Sequence, residues 1–173
     1  MTTVLLDVDG VVANCGAAMH SLAESLFGRK FPEPSAWSVY NVTDALGLSE
    51  RETQEFWAHT RDAEWADSIQ LYPEADAGVR ALCGIADVAF VTSPWKGNRS
   101  WCHHRMELLH QHFPDVDVIQ TKAKWRVWGD FLVDDLPDND RLAAAVHRAI
   151  AVSAGRFVSV CAFAKIEDAL GDG

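Results

Sequence analysis

Short, dense apolar runs recur along the chain, separated by longer stretches with helical spacing. Residues 4–6, 88–91, 116–119, 131–133 and 149–152 form five such runs, rich in valine. Mostly consecutive apolar positions are what a strand shows when both faces of its sheet are covered, as in a parallel sheet. Between the runs, apolar residues recur every three or four positions. Residues 74–83 follow Pro73 and offer Ala77, Val79, Leu82 and Cys83, while residues 98–112 offer Trp101, Met106, Leu108 and Leu109. Residues 138–147 open on Asp-Asn-Asp, a good helix-capping sequence, and continue with Leu142, Ala145 and Val146. Residues 166–170 read as a last helical turn or two. Strand and helix therefore alternate, and the pattern predicts an α/β fold with a doubly wound parallel sheet.

The stretch from 13 to about 71 departs from that alternation. It carries no clear strand, reads as helical or irregular, and holds Trp37, Tyr40, Phe56, Trp57 and Trp65. An insertion after the first strand would sit over the carboxyl ends of the strands, where such sheets bind ligands. The expected division is an α/β core of residues 1–13 and 72–173 and a small helical cap of residues 14–71.

Composition narrows the class. The chain has 173 residues, 49% of them hydrophobic and 23% charged, enough for one domain with a real core. Its net charge of −10 opposes binding to a nucleic-acid polymer, which needs a basic surface. A small anionic substrate remains compatible, because a divalent cation and one or two lysines make a locally positive site on an acidic protein. The first apolar run is short, lacks a basic flank and meets carboxylates at once, unlike a secretory signal. No run approaches the ~20 apolar residues of a membrane helix. The four cysteines, Cys15, Cys83, Cys102 and Cys161, are scattered and form no C-x-x-C pair. That distribution fits free thiols in a reducing cytoplasm. Monomer and homodimer are both left open.

Three of the apolar runs end in reactive groups. Asp7 and Asp9 follow the first (LLDVDGVV), Thr92 and Ser93 the second (FVTSP), and Asp134 and Asp135 the fourth (FLVDD). Lys124 lies ten residues before Asp134. In an open parallel sheet these strand ends face one crevice. Four carboxylates converging there would raise one another's pKa, and a bound Mg²⁺, which takes hard oxygen ligands, relieves that repulsion. The remaining parts suit phosphoryl transfer. One carboxylate can attack phosphorus, and a second, two residues on, can protonate the leaving alkoxide and then activate water. A lysine and the backbone N–H groups at Thr92–Ser93 can hold the phosphoryl oxygens. Gly10 lets the chain turn tightly after the strand. Each element alone has a plainer meaning: a calcium loop, a turn, a surface lysine, a helix cap. The calcium-loop reading fails on Val11, Val12 and Ala13, which offer no further oxygen ligands. The joint, ordered occurrence at three strand ends carries the reading.

At these residues the chain resembles the haloacid dehalogenase (HAD) superfamily of phosphatases. Four motifs match in order: Asp7-Val8-Asp9-Gly10-Val11-Val12, Thr92-Ser93, Lys124 and Asp134-Asp135. Within the superfamily it is most similar to the 5′(3′)-deoxyribonucleotidases, through LLDVDGVVAN, VTSPWK and TKAKWRVWGDFLVDDLPDN, spanning residues 1–15 and 88–140. The resemblance implies Asp7 as nucleophile and metal ligand, and Asp9 as acid/base with its backbone carbonyl on Mg²⁺. It further implies Thr92, Ser93 and Lys96 around the phosphate, Lys124 neutralising the aspartyl-phosphate region, and Asp134 or Asp135 as the remaining metal ligand. The implied substrate is a small phosphorylated molecule, a nucleoside monophosphate and in particular a deoxynucleotide. Three positions differ from the family pattern. Asn14 and Cys15 stand where an acidic residue and a base-packing aromatic are usual, and Leu136 where some members carry a basic residue.

Cys15, Trp37, Tyr40, Trp57 and Trp65 are the candidates for lining a substrate pocket, since aromatics stack on bases. The alternative for each aromatic is the small core of the cap. His103, His104, His110 and His112 lack zinc-motif spacing and read as a solvated helix face. Trp125 and Trp128 read as packing residues before the fourth strand. Two other functions stay open: a HAD phosphatase or phosphomutase for a sugar phosphate, and a non-catalytic scaffold domain on the same fold.

Overall fold

The apolar runs pair side by side into one sheet in the computed structural model, which describes residues 2–135 and 148–151. The strands are β1 (Thr3–Leu6), β2 (Asp87–Thr92), β3 (Asp117–Gln120), β4 (Phe131–Asp134) and β5 (Arg148–Ala151). They are all parallel, in the order β3-β2-β1-β4-β5. The first strand is therefore central, with chain order running outward on both sides, the doubly wound arrangement that the alternation predicts. The expected helices at 138–147 and 166–170 fall outside the described residues.

Pleating divides the strand side chains between two layers. Val4, Leu6, Phe90 and Val133 join the main core, while Leu5, Val91 and Leu132 form a smaller cluster on the opposite face. Two helices after the cap region pack near the sheet. Helix α5 (Ala75–Cys83) buries Ala75, Gly78, Val79 and Leu82. The expected Ala77 and Cys83 are exposed, so the buried face is rotated from the predicted stripe toward the small Ala75 and Gly78. Helix α6 (Trp101–His112) buries Trp101, Arg105 and Leu109, a strict i, i+4, i+8 row that includes a charged residue. Met106 and Leu108 of the predicted stripe are only half-buried.

Between β1 and α5 the chain adds no strand to the sheet. It forms α1 (Cys15–Phe27), α2 (Val42–Ala45), α3 (Glu50–His59) and α4 (Ala63–Asp67), with a 3₁₀ turn at Pro34–Ala36. Local chemistry sets several ends. Asn14 caps α1 through the Ala17 N–H, Gly28 ends it in a left-handed conformation, and Ser49 with Glu52 forms a reciprocal capping box on α3. The stretch leaves and returns at one place. Asn14 N–H donates to Gln70 O (2.8 Å), Tyr72 N–H donates to Val12 O (2.9 Å), and Ala13 bridges Leu71. Ala23, Val42, Leu46 and Phe56 make a small core of their own within this stretch, whereas Trp65, Ala66 and Ile69 join the main core. No helix among the described residues is long and apolar enough to cross a membrane.

Candidate active site at the carboxyl ends of the strands

The strand register decides which side chains meet. Leu6 pairs with Phe90 on one side and Val133 on the other, and Asp7 N–H donates to Val133 O at 2.9 Å. Asp7, Thr92 and Asp134 therefore emerge at one edge of the sheet. Asp7, Asp134 and Asp135 each offer a carboxylate oxygen, and these atoms lie within 4.8 Å of one another. Lys124, on a 3₁₀ turn at Lys124–Arg126, puts its Nζ 2.7 Å from Asp7 Oδ2 and 2.8 Å from Asp134 Oδ2. Asp7 Oδ1 accepts from the Val8 N–H at 2.7 Å.

The electrostatics of this cluster are set by burial. Desolvation, reinforced by Asp134 and Asp9, pushes Asp7 up to about 8 in spite of Lys124. Desolvation and Asp134 likewise push Asp135 up to about 7. Burial works against the Lys124 ammonium, but Asp7 and Asp134 outweigh it and its pKa rises. One lysine does not offset the carboxylates packed here. The all-oxygen donor set fits a hard divalent cation such as Mg²⁺, whose charge would favour the ionised carboxylates.

Gly10 makes this packing possible. Its φ is +85°, and a Cβ built there would come 2.7 Å from Asp135 Cγ, so any side chain would push against a carboxylate of this cluster. Thr92 is buried, and its Oγ1 has no hydrogen-bond partner among the described residues, leaving a donor at the strand end. Ser93 is exposed, and its hydroxyl reaches Thr121 O only at 3.5 Å. Lys96 is also exposed.

Asp9 is set apart from the three clustered carboxylates. Its Oδ1 accepts from Arg105 Nε (2.9 Å) and Nη2 (2.6 Å). It also lines a cavity of about 460 Å³ together with Cys15, Met19, Trp57, Arg61, Trp95, Gly97 and Trp101. Of the candidate pocket residues, Cys15 and Trp57 line this cavity. Burial, and next Asp9, push the Cys15 thiol well above its ordinary range, so it is a neutral packing group. Trp65 lies behind the wall, stacked on Trp101 (5.9 Å between rings, 16°) and edge-on to Trp95 (5.5 Å). Trp37 packs beside the small helical core, and its Nε1 donates to Pro32 O at 2.9 Å. Tyr40 is largely exposed, yet partial burial of its phenol and the charges of Asp135, Asp7, Asp134 and Asp9 push its pKa up, which puts it near the carboxylates.

Several residues of the site are not evident in the sequence pattern: Arg105, Trp95, Trp101, Arg61 and Asn98. Asn98 is buried and its Nδ2 donates to Thr60 O (3.2 Å) and Asp62 O (2.9 Å), fixing the turn that carries Arg61. The available signal for Arg105 was a charged residue on the same helix row as Trp101 and Leu109. Trp125 and Trp128 are not packing residues. They are 39% and 84% exposed, because the tight 3₁₀ turn that aims Lys124 inward aims its neighbours elsewhere. Of the four histidines of α6, His103 and His110 are exposed as expected, with His103 3.3 Å from Glu107, and His112 is partly buried, whereas His104 departs from the solvated face, its side chain only 13% exposed and its ring nitrogens buried against Asp67.

The central β1, the carboxylates at the ends of β1 and β4, the threonine at the end of β2 and the inward lysine define a hydrolase of the haloacid dehalogenase superfamily. Solved structures share the fold. A hydrolase from Streptococcus pneumoniae TIGR4 superposes with a TM-score of 0.60 at 10% identity, covering 96% of this chain and 97% of that one. A HAD-superfamily hydrolase, subfamily IA, variant 1, from Geobacter sulfurreducens PCA gives 0.56 at 15% identity, covering 99% and 97%. A putative haloacid dehalogenase-like hydrolase from Bacteroides fragilis gives 0.52 at 13%, covering 95% and 92%. The chain belongs to the family described as 5′ nucleotidase, deoxy (Pyrimidine), cytosolic type C protein, whose family model matches residues 1–165. It is thus a phosphatase that hydrolyses phosphoric monoesters. No curated protein sequence matches it.

Proposed function

We propose that the chain hydrolyses nucleoside 5′-monophosphates, deoxynucleotides foremost, through an aspartyl-phosphate on Asp7. The observation that carries this reading is that Asp9 is at once two residues from Asp7 and a wall of the tryptophan-lined cavity. A phosphate at the strand ends thereby places its ester group beside a space built for a flat apolar body. A sugar phosphate is less well served, because the lining offers mainly Trp57, Trp95, Trp101, Met19 and Cys15, with only Asp9 and Arg61 charged. Residues 14–71 serve as the cap that supplies Cys15, Met19, Trp57 and Arg61 to this cavity. The family description and the free thiols Cys15, Cys83 and Cys102 support a cytoplasmic location.

On this reading Asp7 Oδ attacks phosphorus while the P–O ester bond breaks, and Asp9 gives its proton to the leaving alkoxide. Asp9 then takes a proton from water, whose oxygen attacks phosphorus and releases orthophosphate from Asp7. The Lys124 ammonium offsets the charge on Asp7 and Asp134, and the Thr92 hydroxyl, Ser93 and Lys96 bind phosphoryl oxygens. Asp7, Asp134, Asp135 and the Asp9 carbonyl would hold Mg²⁺, which when bound neutralises charge on the transferring phosphoryl group.

The test is phosphate release, with Mg²⁺ present, from a panel of nucleoside monophosphates and sugar phosphates. Preference for a nucleoside monophosphate supports the reading. Activity confined to sugar phosphates overturns the substrate and leaves the superfamily chemistry standing.

A further inference from the structure

Arg105 is the largest fully buried side chain described, with no exposed surface. A buried guanidinium is costly unless charge and hydrogen bonds meet it. Two partners meet most of it here, while Nη1 is buried with no hydrogen-bond partner among the described residues. Both Nε and Nη2 donate to one oxygen, Asp9 Oδ1, and the guanidinium carbon lies 4.0 Å above the centre of the Trp101 ring. Trp101 is held in turn by Trp65 and by Trp95, whose rings lie 5.9 Å and 5.1 Å away. The arginine is thus fixed from behind by a tryptophan stack, and its fork closes on a single oxygen. Among the described residues no hydrogen bond reaches Asp9 Oδ2, and the Asp9 side chain keeps 26% of its surface exposed.

We infer that Arg105 is a positioning residue for Asp9: it occupies Oδ1, fixes the rotation of the carboxyl group and leaves Oδ2 as the oxygen that carries the proton. This rests on the acid/base reading of Asp9 given above. In the first half-reaction the Oδ2 proton passes to the leaving oxygen as the P–O ester bond breaks. In the second, Oδ2 accepts a proton from the attacking water as the Asp7–phosphorus bond breaks. Both transfers need the same oxygen in the same place, and a side chain free to rotate about its last bond would present it only part of the time. A structural role alone would explain the burial of Arg105 without requiring both donors on one oxygen of Asp9.

The leaving group provides the test. Cleaving a nucleoside 5′-monophosphate releases an alkoxide that needs a proton, whereas p-nitrophenyl phosphate releases a phenolate that does not. Arg105→Met, which keeps bulk and removes the donors, is compared with Arg105→Lys and Asp9→Asn in pre-steady-state release of each leaving group. Arg105→Met is expected to slow nucleoside release by about 10²-fold, within the range of a lost proton transfer, with KM within about threefold. First-turnover release of p-nitrophenol should slow by no more than about fivefold, and Arg105→Lys should recover at least about tenfold of the nucleoside loss. Equal losses on the two esters, or a loss residing in KM, would overturn the inference. If Arg105→Met does not fold, the same contrast is read from Arg105→Lys, where equal slowing of both esters again overturns it. Asp9→Asn separates the two levels. If it slows both esters alike, the acid/base reading of Asp9 itself fails, whatever Arg105 does.

Discussion

The ammonium of Lys124 lies 2.7 Å from Asp7 Oδ2, joining a 3₁₀ turn to the end of the central strand. Both side chains are about 10% exposed, so water screens the pair poorly. On the proposed mechanism this is where negative charge collects once Asp7 carries a phosphoryl group. Lys124→Ala should lower kcat by roughly 10²-fold or more, in line with removal of one preorganised charge. Steady-state kinetics with Mg²⁺ check this, and an unchanged rate would remove Lys124 from the site.

The buried carboxylates make stability depend on pH and cation together. The fold holds Asp7 at about 8 and Asp135 at about 7, above their ordinary value of 3.8. A raised carboxyl pKa means that the fold prefers the protonated form. In EDTA this contribution to stability is therefore lost as pH rises from about 4 toward 8. Mg²⁺ acts in the opposite sense by binding the ionised oxygens. The increase in Tm on adding Mg²⁺ should grow between pH 5 and pH 8, reaching about 5 °C or more at the upper end. Thermal unfolding across that range checks the slope, and a pH-independent increment contradicts the account.

Gly10 carries two constraints at once, a φ of +85° and the close approach of Asp135. Gly10→Ala should destabilise the fold by about 1–3 kcal/mol and lower activity along with it. Denaturant unfolding and kinetics on one preparation measure both. A variant as stable and as active as the native chain would show that this turn can relax.

Trp57 lines the cavity and meets Trp95 edge to face at 5.7 Å. If the cavity takes the base, Trp57→Ala should raise KM for nucleoside monophosphates by about tenfold or more, the scale of a lost stacking partner. Its effect on a small phosphate ester without a ring should be slight. Equal effects on both would assign Trp57 to packing.

The strands and the strand-end chemistry were legible because both follow from local patterns. A fully buried parallel strand must be apolar at nearly every position, and Asp7, Thr92 and Asp134 stand directly at the ends of such runs. The pocket was less legible because its walls come from distant segments. Trp57 precedes and Arg61 sits on a turn held by Asn98, a residue that resembles any loop asparagine until its bonds to Thr60 and Asp62 are seen. Arg105 was hidden for a different reason. A charge on a helix reads as a solvent-facing position, and only tertiary structure supplies Asp9 and Trp101 to meet it. Trp128 shows the converse, since its size suggested packing and the turn around Lys124 leaves it in solvent.

On the function proposed above, Asp7 is the phosphate-accepting nucleophile of a Mg²⁺-dependent nucleotidase. That role is tested most directly by phosphate release from nucleoside monophosphates by the native chain and by Asp7→Asn, side by side with Mg²⁺. Clear turnover is expected of the native chain and essentially none of the variant, which should stay folded because the side-chain volume is kept. Comparable turnover by Asp7→Asn would contradict it.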